Sequence, residues 1–391
     1  MGVAAIPQTQ AVTTASDNPN KLDFWLRNRR WDLIFITLSV VVVPLPYILY
    51  LIGRHFLAAD MDFQQADDIS RNAINAFVAI AIGGPHMMST FLRTSLDGNF
   101  KKSYPMLIRS SLIIPIIVIS LAFLNLNLLL TVFFFWASLH VLHQVTYIVE
   151  LYNHKEYNYV RPSAYMTWKG RLIDYSVILT CLFPLAAFKI WQGTFEIGAN
   201  DLGTAIPDFF QAEWFFIAMS LIFFVAITAY IFKTVNEYRQ GIINWPKTIF
   251  MFFTVLVCFM ASALPNLDTA FQGLNTWHSF QYLAITFFII KIRQQYGNLD
   301  EEAPLVARFS RMTKDAKGLY AFSAMLLVGS LVIFALVYGL AGLVDPNMEA
   351  NAHFDIAYYT AILSFLWIHY YHDHFLFTNF ESLDAAYGSS S

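Results

Sequence analysis

Residues 127–149 read NLLLTVFFFWASLHVLHQVTYIV, twenty-three residues with no Asp, Glu, Lys or Arg and two histidines, His140 and His143. A helix needs about 20 mostly apolar residues to cross a bilayer, so this stretch predicts a membrane-spanning helix. Ionisable and metal-binding side chains are costly in hydrocarbon and are rare there unless they face a shared interior. The stretch therefore asks two questions of the rest of the chain: how many such segments there are, and how many carry imidazoles.

Nine further segments qualify: 32–53, 72–92, 107–124, 172–191, 213–232, 248–264, 275–292, 319–343 and 356–377. Composition agrees. Hydrophobic residues make up 57% of the 391 and charged residues 13%, against roughly 25% charged in a soluble domain, and the mean hydropathy is +0.51. The expectation is an all-α, polytopic integral membrane helical bundle of about ten transmembrane helices. It comprises a polar tail over 1–30, a transmembrane domain over 31–377 and a C-terminal tail over 378–391. The net charge of -3 says little about partners. The polar stretch 1–20 lacks a signal-peptide pattern, and Lys21, Arg27, Arg29 and Arg30 precede a first apolar run too long for one. Cys181 and Cys258 both sit in apolar runs and read as packing residues.

Loop charge sets the expected orientation. Lys101, Lys102, Lys155, Arg161, Lys169, Arg171, Lys233, Arg239, Lys247, Arg293, Arg308, Arg311, Lys314 and Lys317 fall in alternate loops. The loops between them carry Asp60, Asp62, Asp67, Asp68, Glu196, Asp201, Asp208, Asp268, Asp345, Glu349 and Asp355, with only Arg54, Arg71 and Lys189 on or near that side. Basic loops stay in the cytoplasm, which predicts both termini there and, for a bacterial chain, the inner membrane. The 293–318 segment is the largest extramembrane piece, and its charges read as a cytosolic surface.

Seven of the ten histidines lie within or at the rim of apolar segments: His86, His140, His143, His278, His369, His372 and His374. Gly83-Gly84-Pro85-His86 predicts a broken or kinked helix, since proline cannot donate its backbone bond and restricts the residue before it. His86 then falls in the first turn after the break. Spacings of three and four share a helical face, which groups His140, His143 and Gln144, then His278, Gln281 and Tyr282, then His369, His372 and Asp373. His278 lies on the acidic side of its drawn segment while the others lie on the basic side, a mismatch that a longer helix would remove. The metal ligands expected are His86, His140, His143, His278, His369 and His372. Tyr147, Glu150, Tyr282 and Asp373 are the catalytic or supporting groups beside them. His55, His154 and His353 are expected outside the site.

An imidazole-rich, carboxylate-poor set suits Fe(2+), Cu or Zn, or the axial positions of haem b, and disfavours a carboxylate-bridged di-iron site. An aromatic-walled interior suits O2 and a carotenoid, isoprenoid or fatty acyl substrate. The partners implied are the lipid bilayer, an apolar small molecule and an electron donor, with no nucleic acid. No phosphate-binding loop or dinucleotide fingerprint is present.

The order Gly83, Pro85 and His86, then His140, then His278, then His369 or His372 resembles the bacterial Brp/Blh-type β-carotene 15,15'-dioxygenases. That resemblance implies a polytopic membrane fold, a non-haem iron held by histidines and a carotenoid-cleaving dioxygenase activity. The readings carried forward are a His-ligated iron oxidoreductase, a b-type haem protein for electron transfer or haem handling, and a non-enzymatic transporter or assembly factor.

Overall fold

The computed structural model describes residues 23–161, 168–197, 200–264, 267–344, 346 and 350–388. Its fold is an all-α helical bundle, with a single two-residue antiparallel strand pair among the described residues. The long helical runs are α1 (Arg29–Leu57), α2 (Phe63–Arg93), α3 (Pro105–Leu124), α4 (Leu126–Val160), α5 (Trp168–Trp191), α6 (Glu213–Arg239), α7 (Trp245–Ala261), α8 (Leu267–Tyr296), α9 (Lys317–Leu343) and α10 (Ala350–Leu376).

Seven of these, α1 to α6 and α9, are long and apolar enough to cross a membrane, and the chain is an integral membrane protein in composition and build. The sequence reading expects about ten crossings. The remaining three apolar segments fall in α7, a shorter apolar helix, and in α8 and α10, long helices whose interiors carry His278, Gln281, His369 and Asp373. Polar residues on an inward face lower a helix's hydropathy without moving it out of the bundle.

Local sequence accounts for the boundaries. Asn125 accepts from the backbone N–H of Leu128 at 2.9 Å, capping α4 one residue after α3 ends and making the expected tight hairpin. In α2 the Gly83-Gly84-Pro85 stretch is preceded by a wide, five-residue-looped turn over Ala79–Gly83, after which the helix resumes at Gly84. A side chain on Gly84 would meet the Ala79 carbonyl at 2.5 Å and Leu327 of α9 at 2.8 Å, so only glycine fits. Such wide turns in helices recur at functional sites.

α8 begins at Leu267, eight residues before the drawn segment. His278 therefore sits well inside the helix rather than at its outer end. That resolves the depth mismatch: Asn275, Gln272 and Thr269 interrupt the apolar pattern but not the helix. Gly273 of α8 lies against the backbone of α1, where a Cβ would stand 2.0 Å from the Val43 carbonyl.

The C-terminal stretch expected as a tail instead includes a helix over Glu381–Gly388 that returns to the bundle. Asp384 accepts from Tyr159 at 2.7 Å and contacts His154 Nε2 at 2.5 Å, while Tyr387 donates to the Leu26 carbonyl. Buried Asp32 accepts from Leu26 N, Arg27 N and the Tyr152 hydroxyl, fixing the chain before α1 to α4.

Candidate metal centre

Four helices each contribute one imidazole to a single point. His86 follows the wide turn of α2, His140 lies in mid-α4, His278 in α8 and His369 in α10. All four are buried, and one ring nitrogen from each lies within 4.8 Å of those of the other three. The ring centroids form a near-square. His86–His369 is 4.4 Å, His86–His278 4.7 Å, His140–His369 4.8 Å and His140–His278 4.9 Å, with the His278–His369 diagonal at 6.4 Å.

Hydrogen bonding decides which nitrogens face inward. Ser279 Oγ lies 3.0 Å from His86 Nδ1, and Thr90 Oγ1 lies 2.5 Å from His369 Nδ1. The opposite atoms, Nε2 of His86 and of His369, are buried without a partner, as are Nε2 of His140 and both ring nitrogens of His278. Buried polar atoms are otherwise nearly always hydrogen-bonded. Four unpartnered imidazole nitrogens converging from four helices fit a transition-metal ion, and metal-bound histidines characteristically have the other ring nitrogen held by a neighbour.

Around this square lies a polar collar. Tyr282 donates to Asp373 Oδ1 at 2.7 Å, and Thr90 Oγ1 contacts the Tyr282 hydroxyl at 2.7 Å and Asp373 Oδ1 at 3.1 Å. Asp373 Oδ2 has no hydrogen-bond partner and stands 3.4 Å from His369 Nδ1 and 3.7 Å from His140 Nε2. Tyr370 stacks on His140 at 4.1 Å. Gln144 donates to the His278 carbonyl at 3.1 Å, and Gln281 donates to the Ile36 carbonyl of α1 at 2.6 Å, so the site's helices are tied together by side-chain amides.

The six-histidine ligand set of the sequence reading divides. His143 is half-buried and faces away, its ring 5.6 Å from that of exposed His374 and 5.1 Å from Phe377. His372 is buried, but its Nδ1 meets Thr94 Oγ1 at 3.1 Å and its ring lies between Phe91 and Phe100, outside the four-histidine group. The reason is common to α4, α8 and α10. A residue at i+4 is displaced about 40° around a helix and one at i+3 about 60° the other way. In each helix the i+4 residue, Gln144, Tyr282 or Asp373, lies at the site; in α4 and α10 the i+3 histidine turns aside, whereas in α8 the i+3 residue, Gln281, reaches Gln144 and α1.

Two other expected groups lie elsewhere. Glu150 pairs with Arg171 and accepts from Asn153 at 2.8 Å, out of reach of the square. Tyr147 is one layer below it, stacked on Phe377 at 5.0 Å with its hydroxyl 3.4 Å from the Asn379 carbonyl. His154 is held by Asp384, His353 stacks on Tyr338 at 4.2 Å and His55 meets Phe56 edge-on. Thr90, Ser279 and Thr94 are the residues that sequence reasoning missed. Their only signal is position: Thr90 is four residues after His86, and Ser279 directly follows His278.

The square has two different neighbourhoods. On one side a mostly apolar cavity is lined by Met87, Phe133, Phe271, Gln272, Asn275 and Leu366. On the other a polar cavity of about 380 Å³ opens between the ends of α2, α8 and α10. Comparisons with protein-family models, with curated proteins and with solved structures find no match to this chain, so its function is argued from this geometry.

Proposed function

We propose that this chain is a membrane-embedded, His-ligated metal oxidoreductase, O2-dependent and acting on a long apolar substrate such as a carotenoid, isoprenoid or fatty acyl chain. The observation that carries the reading is the convergence of His86, His140, His278 and His369, buried, with their facing nitrogens unpartnered. A set of neutral imidazoles beside one carboxylate suits Fe(2+), which would supply O2 binding and activation. The four histidines hold the ion. Thr90 and Ser279 fix two of the rings, and Tyr282 with Thr90 orients Asp373 toward His140 and His369. Aromatic and apolar walls keep water from the reacting centre. The apolar cavity beside Met87, Phe271 and Leu366, about 50 Å³ in volume, marks the side from which a bilayer-derived chain would approach.

Compactness favours a single ion over haem b. Two histidines can flank a porphyrin, but four ring nitrogens within 4.8 Å of one another leave no room for the macrocycle. A transporter reading would call for polar passages on both sides of the site, and one of the two neighbouring cavities is mostly apolar and only about 50 Å³ in volume. The resemblance of Gly83-x-Pro85-His86, His140, His278 and His369 to the Brp/Blh-type dioxygenases supports the same class. The alternation of loop charges supports ten membrane crossings with both termini in the cytoplasm of a bacterial inner membrane.

The test is metal analysis and an absorption spectrum of the purified protein, wild type against His140→Ala. Wild type is expected to carry near-stoichiometric iron and no Soret band, with metal and activity lost together in the variant. A Soret band, or active protein free of metal, overturns the reading.

A further inference from the structure

A polar cavity of about 380 Å³ lies beside the metal site, and one buried cation stands between the two. Arg93 ends α2, two turns after His86, and only 7% of it is exposed. It lines the 380 Å³ cavity, and it also lines a narrow gap shared with Gln144, Tyr147, Tyr282 and Phe377 directly below the square. Arg93 thus stands between the polar cavity and the polar collar of the centre, in a gap closed to water in this structure.

No carboxylate of a described residue pairs with it directly, and the nearest acid its charge acts on is Asp373. Buried guanidinium groups are ordinarily paired with carboxylates. The other arginine of the cavity, Arg293, is: it bridges Asp97 and Glu302 at 2.6 Å each. Arg93 makes no direct ion pair with any described residue, and the groups its charge acts on are the Tyr147 and Tyr282 hydroxyls and the Asp373 carboxyl. The remaining acid of the cavity, Glu381, is exposed on its outer rim. The carbonyls ending α2 offset part of the charge, as helix C-termini do. Beyond this gap, a divalent ion among four neutral imidazoles would face a single carboxylate, Asp373, leaving positive charge in excess in a low-dielectric interior.

We infer that Arg93 is the selectivity element of an entrance from the polar cavity to the four-histidine centre, and that the ligand admitted there is a small anion of the carboxylate class. This rests on the metal reading above. A guanidinium fork in a desolvated gap repels cations and gives a planar, two-oxygen anion two parallel donors. The entrance is separate from the apolar cavity, so water-soluble ligand and bilayer-derived substrate reach the centre from opposite sides.

The test uses the full-length iron-loaded protein in detergent. Azide is the anionic probe, formate its competitor and nitric oxide the neutral probe, followed by absorption and electron paramagnetic resonance. Wild type is expected to bind azide and to release it to formate. Arg93→Gln should weaken azide by about tenfold or more, Arg93→Lys by only a few-fold, with nitric oxide unchanged in both. Should Arg93→Gln not fold, Asn298→Glu, which adds a negative charge at the exposed lip of the cavity, should weaken azide and spare nitric oxide. Equal azide affinity in wild type and these variants, or nitric oxide binding without azide binding in wild type, overturns the inference and leaves the metal centre standing. Absence of iron and of any nitric oxide signal overturns both.

Discussion

Thr90 Oγ1 lies 2.5 Å from Nδ1 of His369, and the same oxygen reaches Tyr282 and Asp373. One hydroxyl therefore fixes the ring of a candidate ligand and the carboxylate next to it. Thr90→Val keeps the shape and removes the oxygen, and it should lower iron affinity about 10–100-fold. Thr90→Ser should restore it. Titration of apo-protein with Fe(2+) under anaerobic conditions measures this, and equal affinity for Val and Thr would show that the hydroxyl plays no part in holding the centre.

The split within H-x-x-H pairs makes a second expectation. His140 points into the square and His143 points out. His140→Ala should lose most of its bound metal, whereas His143→Ala and Glu150→Gln should retain it within about twofold, since changes remote from a site are usually near-neutral. Metal content of the three purified variants decides it. Metal loss in His143→Ala equal to that in His140→Ala would contradict the four-helix assignment.

Gly273 lets α8 approach α1 at Val43. A methyl group there has no space, and the blocking atom is a backbone carbonyl that cannot rotate away. Gly273→Ala should destabilise by about 1–3 kcal/mol, the range for overpacking, and should also shift His278 and so weaken metal binding. Thermal unfolding in detergent reads the first effect. An unchanged melting temperature would mean that the α1–α8 approach is looser than described.

Orientation is tested by single cysteines placed on a background lacking Cys181 and Cys258, both of which are buried. Membrane-impermeant reagent applied outside should reach positions in 195–210 and 345–355 and miss positions in 155–170 and 305–317. The reverse pattern would invert the proposed topology.

A buried ionic cluster away from the centre gives a stability expectation. Asp174 of α5 lies 3.0 Å from Lys233 of α6 and 3.8 Å from Lys247 of α7, and Lys247 donates to Asn153 of α4 at 2.9 Å. Asp174→Ala leaves the buried Lys247 ammonium without a carboxylate, while Lys233 keeps Glu237 at 2.9 Å, and should cost about 3 kcal/mol, seen as a lower melting temperature with iron content per folded molecule unchanged. A variant as stable as wild type would assign the cluster no structural role.

The helical, membrane-embedded class of the fold was legible in the sequence because it follows from composition and segment length, which are one-dimensional quantities. The break before His86 was legible for the same reason: glycine and proline act on their own backbone. That imidazoles from α2, α4, α8 and α10 belong together was legible as an anomaly of cost, since each is expensive alone. Which imidazoles meet was not. His140 and His143, or His369 and His372, differ by a few tens of degrees about a helix axis, and the sequence carries no record of where the axis of the neighbouring helix lies. The start of α8 at Leu267 was hidden by Gln272 and Asn275, which read as an end to the apolar run until their hydrogen bond to each other and the approach of Asn275 to Gly83 of α2 are seen. Thr90, Ser279 and Arg93 are common residue types whose roles arise only from what packing brings within 3 Å of them, or fails to bring. The sequence by itself determined that this chain must enclose polar groups within an apolar bundle. The packing of four helices decided that they enclose one point, because side-chain convergence is a property of relative helix position and rotation, which no single segment encodes.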